Sequence, residues 1–347
     1  MIRRHEMLKA AAITSMAMVV SCALATGASA AAVNCGQVIT QNTTLDADVG
    51  PCSGPGIIVG ADGITLNLRG HTVFGTPEPG EGAGILLQGR MTAKVTNGTV
   101  RDFDAGVLID EGGDNTVTAV TARDNIGGAD LGDGIAVQSS SDNRIAGNTV
   151  RNNGPYSGIS LYLTDADHPV ARNTVENNVV QDNQSCRQLS GGGEVCDNDG
   201  IRLEPGVGPA NVVKRNVVRG SGLDGISVFA DADKNTIADD TVESNGFVST
   251  VAGDGIRIYG SRNAILRNRS FSNAGAGISV GVRTGSALGT LPNNATTGNP
   301  RGQFNEIRAN QTGSNLVFDL WDGNPGCDAN IWRNNIFVSA NQVCTTG

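Results

Sequence analysis

Three carboxylates stand before a glycine at the same place in a recurring string: Asp199 in DGIRL, Asp224 in DGISV and Asp254 in DGIRI. Looser copies begin at Asp133 (DGIAV), Ser157 (SGISL) and Ala276 (AGISV). Two copies carry an arginine, Arg202 and Arg257, and the residue that follows each string is Gln138, Tyr162, Glu204, Phe229, Tyr259 or Gly281. Carboxylates in adjacent units suit acid/base or nucleophilic work on a glycosidic bond. Arginine forks bind carboxylates in two-point contacts, as a uronate would offer. Aromatic faces suit pyranose rings. Asp199, Asp224, Asp254, Arg202 and Arg257 are therefore the candidate catalytic residues, and Tyr162, Glu204, Phe229, Tyr259 and Gln138 the candidate substrate contacts.

That constellation exists only if the strings are stacked strands. In Gly-Ile-x-Val-y the Ile and Val point one way and x and y the other. The x positions are Ala136, Ser160, Arg202, Ser227, Arg257 and Ser279. Parallel strands lie about 4.8 Å apart, so each row becomes a line on an outward surface over residues 133–280. The string glycines sit at 56, 84, 106, 134, 158, 200, 225, 255 and 277, never closer than 22 residues. A base period near that value with variable additions predicts a solenoid with loops of unequal length.

A second beat runs through the rest of each unit. Asn143/Asn148, Asn173/Asn178/Asn183, Asn211/Asn216, Asn263/Asn268/Asn273, Asn305/Asn310 and Asn330/Asn335 are spaced by five, and Asn235/Asp240/Asn245 keeps the spacing with one Asp. Apolar residues follow two positions later, among them Ile145, Val175, Val213, Ile237 and Ile265. The pattern predicts short strands separated by sharp bends, with Asn tolerating the left-handed backbone of the bend and bonding to its own row in neighbouring coils. Ile64–Val73 reads as one alternating strand. Helical solenoids need apolar spacings of three and four, which are missing here.

Gly-Ile-x-Val followed by Asn-x-Ile/Val-x-x-Asn-x-Val resembles the right-handed parallel β-helix proteins of the pectate-lyase-like superfamily, NosD-type repeat proteins among them. The resemblance covers roughly residues 55–340 and implies an all-β, single-stranded right-handed parallel β-helix of about ten coils with capped ends. That superfamily holds lyases, hydrolases, epimerases and adhesins, so it implies no single activity. The chain lacks the Gly-His-Gly of polygalacturonases and the Asp-Pro-His-Glu of mannuronan epimerases. Asp239-Asp240 resembles a polygalacturonase Asp pair, but Asp240 falls on the Asn beat.

Structural readings compete at each site. Asp-Gly is a turn dipeptide, so the Asp row can shape bends. The aromatics can be covered by an insertion, and the arginines can pair with neighbouring acids. Two insertions, Gln184–Asn198 and Gly281–Gln303, interrupt the period and are placed to frame a binding face. His168 lies in the loop after Tyr162, whereas His71 falls in the first coils. No metal is assigned and no cofactor is expected. Calcium at the Asp row stays open, although the RTX nonapeptide is absent. Copper is argued against, because Met91, His71 and His168 are too scattered for a soft-metal site.

The net charge is −9 and no basic run occurs, which excludes nucleic acid as partner. Arg3, Arg4 and Lys9, the apolar run Ala10–Ser21 and Ala28-Ser29-Ala30 read as a bacterial export signal over residues 1–30. Val19-Val20-Ser21-Cys22 offers the alternative of a lipid anchor on Cys22. No other segment reads as a membrane span. Residues 31–347 form the domain, with 31–55 as an N-terminal cap and 315–347 as a last coil or cap. Six cysteines allow 15 pairings. Their grouping favours Cys35–Cys52, Cys186–Cys196 and Cys327–Cys344, as an oxidising compartment permits. The expectation is an exported monomer that recognises an extracellular polysaccharide, with cleavage or epimerisation as a further capacity. The rival is a non-catalytic surface or structural β-helix of the adhesin type.

Overall fold

Each Gly-Ile string is a strand, and the strands stack in one parallel sheet. Ile57, Ile85, Val107, Ile135, Ile159, Ile201, Ile226, Ile256, Ile278 and Leu320 are aligned in succession. The computed structural model describes residues 29–76, 82–128, 131–188, 194–248, 252–281 and 302–347. Residues 1–28 of the expected export signal, Cys22, the glycine triplet of the first insertion and residues 282–301 of the second lie outside them. The chain is a single-stranded right-handed parallel β-helix. The nine string strands, with Gln37–Ile39 before them and Leu320–Asp322 after, form its first face, an 11-stranded sheet. Strands such as Thr174–Glu176 and Val212–Lys214 form a second face, and Val179–Gln181 and Val217–Arg219 a third.

The core is the inward row of each face. Ile145, Val175, Val213, Ile237, Ile265 and Ile307 are stacked on the second face, all with no exposed surface. Burying each such side chain is worth about 1.5–3 kcal/mol. The string glycine is required where the first face begins. A Cβ on Gly200 would lie 2.3 Å from Val218 Cγ1 and 2.5 Å from the Gly225 carbonyl oxygen.

The Asn beat builds ladders along the corners. Asn148 Nδ2 donates to the Val117 carbonyl of the coil before and to Asn178 Oδ1 of the coil after, at 3.0 Å each. Its backbone N–H also donates to Asn178 Oδ1, at 2.9 Å. The side chain so satisfies backbone groups that a sharp bend leaves unpaired. The left-handed backbone was expected on Asn itself. It falls on the residue before: Asp142, Arg172, Asn177, Asp182, Arg215 and Asp239 all have positive φ. Asn is freed of the bend and spends its amide between coils.

Two further expectations are revised. Ile64–Val73 is two strands, Thr65–Asn67 and Thr72–Gly75, on different faces, because Arg69 and Gly70 turn left-handed between them. Coil winding also starts early, since Gln37–Ile39 already pairs with Ile57–Val59 on the first face. The three expected disulfides are present. Cys186–Cys196 closes a hairpin in the first insertion, where Arg187–Gln188 pairs antiparallel with Glu194–Val195. Cys327–Cys344 ties the C-terminal end around Trp332, which is buried.

Candidate functional site

The outward rows of the first face align as the strand phase demands. Ala136, Ser160, Arg202, Ser227, Arg257 and Ser279 are successive register partners. Gln138 pairs with Tyr162, and Asp133, Ser157 and Asp199 follow one another in the row before the glycine. The open surface expected over residues 133–280 is found only in part: Gln138, Tyr162 and Glu204 reach solvent and the rest is closed. Asp199, Asp224, Asp254, Arg202, Arg257, Phe229 and Tyr259 are all buried, none more than 5% exposed.

The charged residues of this sealed half satisfy one another. Arg202 Nε donates to Asp199 Oδ2 at 2.9 Å, Nη1 to Glu204 Oε1 at 3.2 Å, and Nη2 reaches Asp197 Oδ2 at 3.0 Å. The guanidinium carbon lies 5.2 Å from the centre of the Phe229 ring, a cation–π contact. Arg257 Nε donates to Asp254 Oδ2 at 2.9 Å, and its Nη2 reaches back to Asp224 Oδ1 at 3.2 Å.

The Asp row also bonds along the helix axis. Asp199 Oδ1 accepts the Asp224 N–H at 3.0 Å, Asp224 Oδ1 accepts the Asp254 N–H at 2.6 Å, and Asp254 Oδ1 accepts the Ala276 N–H at 2.6 Å. Ser279 Oγ adds a bond to Asp254 Oδ2 at 2.5 Å. The row is thus a carboxyl counterpart of the Asn ladder, a linkage that the Asp-Gly turn reading does not contain. Burial, opposed by Arg202 and aided by Asp224 and Asp197, pushes the Asp199 carboxyl well above the usual range.

The accessible part of the face lies earlier in the chain. Gln88 is exposed, and Asp110, Gln138, Tyr162 and Glu204 are half-buried, in the position that follows each string. Gln88 Nε2 donates to Asp110 Oδ2 at 3.1 Å, and Tyr162 Oη donates to Gln138 Oε1 at 2.5 Å. Counting the same phase back to the strings at Gly84 and Gly106 identifies Gln88 and Asp110, which are not among the site residues expected from the sequence. Beside this strip the outward residues are Leu86, Leu108 and Ala136, which cluster with Ala83, Ala105, Leu131 and Tyr162. Burial, then Glu111, raise the Asp110 carboxyl, with Gln88 and His168 opposing.

One rim is the loop after Tyr162. Ser139 Oγ accepts the N–H groups of Thr164 at 3.0 Å and Asp165 at 2.9 Å, which pins the loop to the neighbouring coil. His168 Nδ1 meets Asp165 Oδ2 at 2.8 Å, and Glu111 completes a cluster of potential ligand atoms within 4.8 Å. The bond to Asp165 raises the His168 imidazole, while the Asp167 backbone N–H and His168 lower Asp165. His71 is remote from this rim and lies 3.3 Å from Asp48. Asp133 sits at the border of the two halves. Burial pushes its carboxyl up to about 6, against the Ser157 hydroxyl that donates to it at 2.5 Å.

The family model for the right-handed β-helix region matches residues 55–242. The chain belongs to this family. No curated protein sequence matches it significantly. Among solved structures it is similar to the periplasmic alginate epimerase AlgG, at 14% identity over 87% of this chain and 73% of that one, with a TM-score of 0.54. The A-module of the mannuronan C-5 epimerase AlgE4 from Azotobacter vinelandii gives 16% identity, 89% and 84% coverage, and a TM-score of 0.52. The Dettilon tailspike protein gives 14% identity, 85% and 60% coverage, and a TM-score of 0.50. Likeness at these identities concerns the fold. Among the described residues no helix is long and apolar enough to cross a membrane.

Proposed function

We propose that the protein is an exported, monomeric β-helix that binds an extracellular polysaccharide along the strip Gln88–Asp110–Gln138–Tyr162–Glu204. The observation that carries this reading is the strip itself. It offers one accessible polar or aromatic side chain per coil, about 4.8 Å apart, beside an apolar floor and the loop after Tyr162. Such a line suits an extended chain of sugars, with Tyr162 as the ring-packing group. Phe229, Tyr259 and the buried Asp199, Asp224, Asp254, Arg202 and Arg257 then act from beneath, holding the neighbouring coils. A glycan reaching that network has to displace the residues that bury it.

The charge of the strip bears on the substrate class. Arg202 and Arg257 already hold carboxylates, so they have little left for a uronate. Asp110, Glu111, Asp165 and Glu204 make the accessible region acidic, which favours a neutral or amino-bearing glycan over a polyanion. For cleavage or epimerisation, Asp110 and Glu204 are the carboxyls within reach and His168 the rim group. The non-catalytic, adhesin-type reading is favoured by one observation: the Asp rows that looked catalytic serve as bonds between coils. Export is supported by three disulfides and by the leader-like residues 1–30. A lipid on Cys22 is the alternative mode of envelope attachment.

The test is a panel of neutral, acidic and amino polysaccharides, measured with wild type and Tyr162→Ala. Binding that weakens about tenfold in the variant is the expected result, for loss of an aromatic hot spot. Unchanged glycan length and composition identify a binding module. New reducing ends identify a hydrolase, an unsaturated product a lyase, and altered uronate composition an epimerase. If wild type neither binds nor alters any member of the panel, the carbohydrate reading is wrong.

A further inference from the structure

One rung of the Asn ladders has different chemistry. At the corner between the second and third faces the rungs run Asn148, Asn178, Asn216, Asp240, Asn268, Asn310 and Asn335. An Asn rung works in both directions. Its Oδ1 accepts from the previous rung, and its Nδ2 donates to a strand carbonyl of the previous coil. Asn216 Nδ2 donates to the Val175 carbonyl at 3.0 Å, Asn268 to Ile237 at 3.0 Å and Asn310 to Ile265 at 2.8 Å.

Asp240 keeps the accepting half of this scheme. Its Oδ1 accepts the Asn216 backbone N–H at 2.7 Å and the Asn216 Nδ2 at 2.9 Å. Its own N–H donates to Asn268 Oδ1 at 3.0 Å. The donating half is missing. Asp240 Oδ2 is buried and has no hydrogen-bond partner. In the strand register Val213 stands to Ile237 as Val175 stands to Val213, so the Val213 carbonyl occupies the acceptor position that an Asn rung would use. An ionised carboxyl sets oxygen against oxygen there. A protonated one has the O–H that replaces the Asn N–H.

We infer that Asp240 is a proton-dependent rung: in the folded coil Oδ2 carries a proton and donates it to the Val213 carbonyl, and its ionisation weakens the stacking of these coils. The surroundings agree. Burial pushes this carboxyl up to about 7, with the Asn216 bonds opposing and Asp239 adding to the rise. The other charged groups near the corner engage one another: Asp239 is held by Arg267 at 2.7 and 2.8 Å, and Arg215 by Glu176 at 2.7 Å. Glu243 follows on the next strand, half-buried. Val213, Val218, Ile237 and Val242, on the strands that flank the corner, are fully buried and apolar.

The sign follows from linkage. Below about pH 4 the carboxyl is protonated in both folded and unfolded chains. Between there and about 7 the folded chain keeps a proton that the unfolded chain has released. The folded-to-unfolded ratio therefore falls by up to about tenfold per pH unit across that window, then levels off.

The experiment compares thermal unfolding of the full chain and of Asp240→Asn from pH 4 to pH 9. Asn restores a donor that does not titrate. The variant is expected to melt above wild type at pH 8, with the gap closing toward pH 4. Other buried carboxyls titrate in both proteins, so the gap isolates this rung. A gap independent of pH overturns the inference. The second readout is the infrared difference between wild type and Asp240→Asn, which at pH 5 should hold a carboxylic-acid band that wild type loses by pH 9. The same band at equal strength in both proteins also overturns it, whatever the melting curves show.

Discussion

The two halves of the first face share a repeat, a register and a row of side chains before each glycine, yet differ in how they treat charge. In the later half, the outward row alternates Arg202, Ser227, Arg257, Ser279. Two guanidiniums on adjacent coils would repel about 4.8 Å apart, and the serines separate them. Each arginine meets the Asp three residues before it, and Arg257 also reaches the Asp of the preceding coil. In the earlier half the same row is Leu86, Leu108, Ala136 and Ser160. Asp133 there has Ala136 where Asp199 has Arg202. Glu204 apart, the strip stays accessible where outward residues carry no buried charge, and the face closes where they do. Position in the repeat fixes which residues are neighbours; what packs above them decides whether they meet solvent.

The largest effect expected from this contrast is on Arg202. Arg202→Ala leaves Asp199, Asp197 and Glu204 facing one another without their cation. Breaking one side of a buried pair costs about 3–5 kcal/mol. Chemical denaturation should show that loss, with Arg202→Lys intermediate because it keeps the charge but not the fork. A loss below about 1 kcal/mol would show that the sealed half is not held by its ion pairs.

Asp133 tests the other side. Its carboxyl is raised to about 6 and has no arginine on its own strand. The unfolded carboxyl ionises near 4, so stability should fall as pH rises from about 4 to about 6 and then level off, by about 3 kcal/mol in all. Asp133→Asn should remove that share of the decline, leaving the share that belongs to Asp240, and be the more stable protein at pH 7. Wild-type and Asp133→Asn profiles that run parallel from pH 4 to pH 6 would mean that Arg202 or another cation neutralises Asp133 across the coils.

This contrast also marks how far the sequence could be read. The glycine phase places every string strand and the alignment of the outward rows, and the grouping of the cysteines gives the three pairs, because each follows from local spacing. Exposure does not follow from spacing. Arg202 is buried by partners that include Asp197, in the preceding insertion, and nothing in the order of residues states where an insertion folds. The left-handed bend residue was misplaced by one position for a similar reason. Asn has a propensity for such bends, but here its amide gains more by bonding between coils, and Asp142, Asn177 or Arg215 takes the strained backbone. Gln88 and Asp110 are legible by phase and were missed because their strings, at Gly84 and Gly106, precede residues 133–280, where the Asp-Gly copies fall.

Tyr162 ranks next. Tyr162→Phe removes the hydroxyl that bonds Gln138 and keeps the ring. The net cost should be about 1 kcal/mol in stability. If the ring is what packs on a sugar, glycan affinity should change little in Tyr162→Phe and markedly in Tyr162→Ala. Equal losses in both variants would assign the contact to the hydroxyl.

The smallest expected effect is at Gln88, the exposed end of the strip. Its side chain makes one bond to Asp110, at 3.1 Å, in reach of solvent. Water replaces such a bond readily, so Gln88→Ala should change stability by less than about 0.5 kcal/mol. The same substitution withdraws a bond that lowers the Asp110 carboxyl, so Asp110 should titrate higher in the variant. A fall in glycan affinity with an unchanged melting curve would separate binding from folding at this position. Variants at Asp199, Asp224, Asp254 or Arg257 cannot do so, because those side chains also bond a neighbouring coil. Should Gln88→Ala instead destabilise the chain as strongly as Arg202→Ala, the division of the face into an accessible half and a structural half would fail.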